Sequence, residues 1–201
     1  MQSALDQFRI SMSRVRDLIA VHNAVKAQST PALDLSDILR AALVLSVSAL
    51  DYYVHEVVLL GMLEIHRGSR PEPPAFARFQ IALGSAREGL QVGIHLDYWL
   101  ADEIRQRHSY RSFQQPENIA DAIRFISDKK LWEEVGNIMG KPAKDIKQQL
   151  SIIVDRRNKI AHEADIDPTL GLGNRWPIDE GLVNDAVDFI EQVVESIHAL
   201  L

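Results

Sequence analysis

The sequence predicts an all-α helical bundle, and three observations carry that expectation. Apolar residues recur at spacings of three and four along most of the chain. No run alternates apolar and polar residues as a half-buried strand does. Clusters of proline and glycine punctuate the periodic stretches at intervals that suit short connections.

The elements follow in order. Leu5, Phe8, Met12, Val15, Ile19 and His22 make one stripe on a first helix. "STPALDLSDI" breaks it, and Asp34 is the expected N-cap of a second helix running to about Gly68. That helix is apolar on most faces, which places it at the centre of the bundle. "RGSRPEPPAF" is a loop, because proline at that density forbids a helix interior. Residues 75–126 read less clearly, with short helical patterns in "FARFQIALGSAREGL" and "LDYWLADEIRQRH" and a proline-initiated helix in "QPENIADAIRFI". "DKKLWEEVGNIMG" predicts a short helix ending at Gly140. A longer one opens near Pro142 and runs to about Ala164. After the loop "DPTLGLGNRWP", Asp179 caps a final helix with Leu182, Ala186, Phe189, Val193 and Ile197 on one stripe. No repeat or linker divides the 201 residues, so one domain is expected.

Composition narrows the chemistry. With no cysteine, disulfides, thiolate metal sites and a cysteine nucleophile are excluded. A reducing cytoplasm is the compatible compartment. Charges interrupt every apolar run near the N-terminus, and the longest run, "AALVLSVSAL", is short of the roughly 20 residues that span a bilayer. A soluble chain without a signal peptide or membrane partner is expected. The net charge of −6 argues against a broad, sequence-independent grip on nucleic acid but leaves room for a local cationic site.

That local site is "DRRNKIAHEAD", residues 155–165. At about 100° per residue, Asp155, Asn158 and His162 share a polar ridge. Arg157 lies on the flank, with Arg156 and Lys159 beside the ridge, while Leu150, Ile153 and Ile160 hold the helix on the bundle. Histidine exchanges protons near neutral pH. Arginine presents a planar donor fork to phosphate, and asparagine both donates and accepts. Together these groups suffice to break an RNA phosphodiester without metal or other cofactor. The ribose 2′-hydroxyl attacks, histidine handles protons, and arginine stabilises charge on the phosphoryl oxygens. One copy supplies one histidine; two copies across a two-fold axis supply an acid and a base. The competing account is structural: the same residues near a helix C-terminus cap carbonyls and complement the dipole.

"RRNKIAH" resembles the signature of the HEPN superfamily, in which an arginine, a polar residue and a histidine follow at this spacing. Arg157, Asn158 and His162 match it, with "NKIA" as the spacer. The upstream "LVLSVSALDYYVHEVV" is similar to the family's other landmark helix, with Asp51 where the RiboL-PSP-type branch usually carries glutamate. The resemblance covers roughly 35–66 and 128–200, leaving 67–127 as an insertion in a single HEPN-like domain over 1–201. It implies a four- or five-helix core that forms a homodimer through its motif helices. It also implies a metal-independent endoribonuclease of toxin–antitoxin or antiviral defence systems, with RNA as substrate and an antitoxin or regulatory protein as further partner. Arg157, Asn158 and His162 would then be catalytic, with Arg156 and Asp51 in support. Some members bind a nucleotide or a protein without cleaving, and that is the alternative reading.

Residues outside the motif carry weaker signals. Asp51 either orients Arg157 or His162 from behind or faces solvent. Lys159, Arg175 and Trp176 are expected at the edge of the cleft, the tryptophan stacking on a base. His108 and Arg111 form a second basic, aromatic patch that either steers RNA or is a solvated helix end. His66 with Glu64 and His95 with Asp97 have metal-ligand residue types, but nothing completes a ligand set, so no metal is expected.

Overall fold

The computed structural model describes residues 1–30, 32–92, 97–171 and 173–201. Among them are eight helices: α1 (Gln2–Lys26), α2 (Ser36–His66), α3 (Leu83–Val92), α4 (Tyr98–His108), α5 (Pro116–Ile123), α6 (Leu131–Met139), α7 (Ala143–His162) and α8 (Glu180–Leu200). A single 3-10 turn, Phe76–Arg78, interrupts the proline-rich connection after α2. The described residues contain no strand, only one isolated bridge between Ile166 and Arg175.

α2 is the axis of the bundle, packed by α1, α4, α5, α7 and α8. Its Val47, Leu50, Tyr53, Val54, Val57 and Met62 are fully enclosed. By length and composition α2 is apolar enough to cross a membrane, although its longest unbroken apolar run is short. More than half of its most apolar stretch is buried against neighbouring helices, which accounts for that surface. α1 buries all six residues of its expected stripe. α8 buries Ala186, Phe189, Val193 and Ile197 but leaves Leu182 exposed, because its first turn overhangs the core. Val183, Val187, Ile190 and Val194 widen the buried face instead.

The caps differ in detail from expectation. Asp34 lies two residues before α2 and accepts the Ser36 amide, while Leu35 holds the N-cap position. Asp179 does cap α8, accepting the Leu182 amide at 2.8 Å. α6 ends at Gly140 in the left-handed region, φ 64°, a conformation glycine adopts without steric cost. Gly136 is needed for another reason: a Cβ there would sit 2.7 Å from the Lys141 carbonyl. This close approach turns the chain tightly from α6 into α7 and so sets the direction of the motif helix.

Candidate functional site

α7 is anchored by Ile146, Leu150, Ile153 and Val154, and its opposite face carries Asp155, Asn158 and His162. Arg157 extends the anchoring stripe by one turn, so it is half-buried rather than free. Its Nη1 donates to Asn158 Oδ1 at 3.0 Å. Its Nε is enclosed and has no partner among the described residues. His162 stands exposed in the last turn. Five positions apart, Arg157 and His162 diverge by about 140° around the helix. The helix therefore shows its histidine on one side and its arginine toward the protein edge.

The end of α7 is shaped by an unusual chain reversal. Ala164 and Asp165 are both left-handed, φ 51° and 58°, without being glycine. The amides of Glu163 and Asp165 both donate to the Lys159 carbonyl, satisfying the helix end. Backbone strain of this kind costs on the order of 1 kcal/mol per residue and persists only where contacts over-determine it. Here the contacts are ionic. Asp165, 1% exposed, receives Arg40 Nε at 2.6 Å, and Arg156 Nη1 lies 2.6 Å from its other oxygen. Both guanidiniums also donate to the Trp176 carbonyl, at 2.8 and 3.1 Å. Burial pushes the Arg156 pKa down, and the Asp165 charge opposes that shift. The returning segment is tied by Asp167 N to Asn174 O and by Trp176 N to Asp165 O, both 2.9 Å. The loop 163–178 is thus an arch pinned at its base.

This arch reassigns several residues. Arg175 was expected to contact substrate, but it is paired with Asp34 at 2.7 Å and with Asp37, at the start of α2. Two carboxylates occupy the fork that a phosphate would need, so Arg175 fastens the arch. Trp176 and Lys159 are brought together, with the Lys159 Nζ 4.5 Å from the indole ring centre. That ring face is already covered by a cation. Arg156 supports the site from beneath, through Asp165 and the arch carbonyls.

Asp51 takes neither expected role. Its carboxylate accepts the Phe113 amide at 2.5 Å and the Gln114 side chain at 3.2 Å. It makes no hydrogen bond to Arg157 or His162, because the loop after α4 lies against it. Gln115, next in that loop, reaches Asp155 on α7 at 3.3 Å. The landmark acid therefore positions a loop, and the loop touches the motif ridge. His108 is buried among Phe79, Phe113 and Phe125 rather than presented on a basic patch. Its pKa falls to about 4, chiefly through burial and then through the charges of His55 and Arg111. No group of three or more His, Asp or Glu residues with metal-binding geometry occurs among the described residues. His95 lies outside them.

Sequence reasoning did not find the Arg40–Asp165 pair, separated by 125 positions. The signal was present: an arginine on an apolar central helix must find a partner. Gln115 carried no signal at all.

A bundle with an Arg–Asn–x–x–x–His helix end beside an acidic landmark on its central helix defines the HEPN class. A family model described as RiboL-PSP-HEPN matches residues 11–201. The chain belongs to that family. The matched span takes in 67–127, which carried no resemblance by motif. No curated protein and no solved structure matches the chain.

Proposed function

We propose that the protein is a metal-independent endoribonuclease whose active site is completed by a second copy. The observation that supports this most is an exposed His162 on the same helix end as an Arg157 that pairs with no carboxylate among the described residues. A structural cap would use these groups up. Arg156 and Arg175, which are used up in that way, provide the contrast within the same helix end and arch.

The 140° divergence between Arg157 and His162 is the reason for a second copy. Two motif helices facing each other across a two-fold axis place both imidazoles and both guanidiniums around one phosphate. One His162 accepts the proton from the ribose 2′-hydroxyl as its oxygen bonds to phosphorus. The P–O5′ bond breaks, and the other His162, protonated, gives its proton to the departing oxygen. Arg157 holds the non-bridging oxygens as their charge grows. Asn158 keeps Arg157 oriented through the hydrogen bond already present. The products are a 2′,3′-cyclic phosphate and a 5′-hydroxyl. A toxin–antitoxin or antiviral setting, with a protein partner restraining the enzyme, completes this reading.

The test is incubation of purified protein with mixed RNA in excess chelator, followed by end-group analysis. Cleavage giving cyclic-phosphate ends is expected, with His162→Ala lowering the rate at least about 100-fold, the usual scale of lost acid–base catalysis. Loss of cutting on chelation, or full activity in His162→Ala, would overturn the proposal.

The second reading is a HEPN-like module that binds a nucleotide or protein without cleaving. Its support is that Trp176, Arg156 and Arg175 are all engaged internally, which leaves few groups to grip a long substrate at the motif itself. Nucleotide binding that survives without any cleavage in the same assay would favour it.

A further inference from the structure

A cavity of about 470 Å³ opens where the loop 73–78, α5, α6 and the first turns of α7 meet, away from the motif. Arg78, Arg124, Lys129, Lys130 and Lys147 line it, against Asp128 and Glu133. On a chain of net charge −6, five cations around one opening are out of proportion. Nor are they consumed as Arg40 and Arg156 are. Arg78 has no carboxylate partner among the described residues, and Lys129 Nζ donates to the Leu200 carbonyl, keeping its charge uncompensated. The rest form loose surface pairs: Lys130 with Glu133 at 3.3 Å, Lys147 with Glu117 at 3.6 Å from the rim, and Arg124 with Asp121. Exposed pairs of this kind are worth about 1 kcal/mol or less, so a phosphate backbone can displace them.

The position of Lys147 connects this cavity to the motif. At about 100° per residue, Lys147, Ser151, Asp155, Asn158 and His162 fall within about 80° of one another on α7. That makes a single track, about 22 Å long at 1.5 Å per residue. Its far wall is built by the segment that carries Gln115 and Glu117, which bond Asp155 and lie beside Lys147 respectively. Lys147 is the point on this face where α7 meets the cavity. Asp155 and Glu117 make the middle of this face acidic, so an extended polyanion would be held at the two ends, by the cavity cations and by the motif.

We propose that this cavity is a second RNA-binding site, which holds the phosphates of a single strand a few nucleotides from the bond to be cut. It rests on the endoribonuclease reading and explains how an acidic protein grips a long substrate when the cations beside its motif are tied down. The cavity cations are positioning residues and do not touch the reacting atoms.

The experiment uses the His162→Ala protein and a fluorescently labelled 20-nucleotide single-stranded RNA, with affinity read by anisotropy across a salt series. Arg78→Glu, Lys129→Glu and Lys147→Glu together should weaken binding at least tenfold. They should also flatten the salt dependence by about two units of slope, since each lost phosphate contact removes about 0.7. In the His162-intact background, the same triple variant should cut a dinucleotide at the parent rate while its KM for long RNA rises. All three side chains are surface groups, and the milder Arg78→Gln, Lys129→Gln, Lys147→Gln set should show a smaller loss of the same kind. Unchanged affinity and slope would overturn the proposal, as would absence of RNA binding by the parent, or a long acidic peptide competing RNA off with no RNA effect of the substitutions. If the parent binds RNA through these residues yet never cleaves, the second site stands and the nuclease reading fails.

Discussion

Asp165 illustrates how much a single side chain decides here. A buried guanidinium, Arg40, and a half-buried one, Arg156, flank it, and it also occupies a left-handed backbone position. Replacing it with asparagine leaves Arg40 and Arg156 facing each other with no anion between them. Breaking a buried pair in this manner costs about 3–5 kcal/mol, far more than a surface pair is worth. Asp165→Asn is therefore expected to lower the urea midpoint of unfolding strongly and to expose 163–178 to protease. His108 makes a second prediction at this scale. Its pKa in the folded protein is about 4, below the ordinary 6.5. Between those values the unfolded chain takes up the proton first, so stability falls as pH drops from 6.5 toward 4 and levels off below. The loss between pH 7.5 and pH 5 should be on the order of 2 kcal/mol. Urea titrations of the parent and His108→Phe at the two pH values check this; the substitution should shrink the difference, leaving the part due to His198, whose pKa burial also lowers.

At the scale of elements, α7 matters because both its ends are fixed. The N-terminal end is set by the α6–α7 turn, where Gly136 lies against the Lys141 carbonyl. Alanine at 136 gains about 1 kcal/mol of helix propensity. Its Cβ, however, meets backbone at 2.7 Å, which cannot swing aside as a side chain can. Overpacking of this sort costs about 1–3 kcal/mol, so the net effect should be destabilising. Gly136→Ala is expected to lower the melting temperature and to reduce cleavage by more than the stability loss alone explains, since the whole motif helix must shift. The C-terminal end is set by the arch, whose bonds to α2 run through Arg40 and Arg175. α2 in turn fixes the loop 113–115 through Asp51. The motif helix is thus clamped from two sides by one central helix.

At the scale of the whole molecule, the proposed chemistry is a property of two copies. Arg157 and His162 diverge on their own helix, so a lone protomer offers a proton carrier without a phosphate clamp beside it. Specific activity should therefore fall on dilution through the dimer dissociation constant, in step with the monomer fraction measured by analytical ultracentrifugation. Constant specific activity across a concentration range in which the protein becomes monomeric would remove the shared site.

The sequence by itself determined the helical class, the order of most elements and the motif. These are encoded locally, in apolar spacing, proline and glycine breaks, and residue types within one turn of helix. The six buried positions of α1 and the cap at Asp179 were legible for that reason. Only the tertiary structure decided which charges are free. Arg156, Arg157 and Arg175 look alike as residues, yet Asp165, packing and the Asp34–Asp37 pair give each a different fate. The pairs Arg40–Asp165 and Arg175–Asp34 join positions more than a hundred residues apart, and the electrostatic competition among all these groups depends on distance and burial, quantities no local pattern contains.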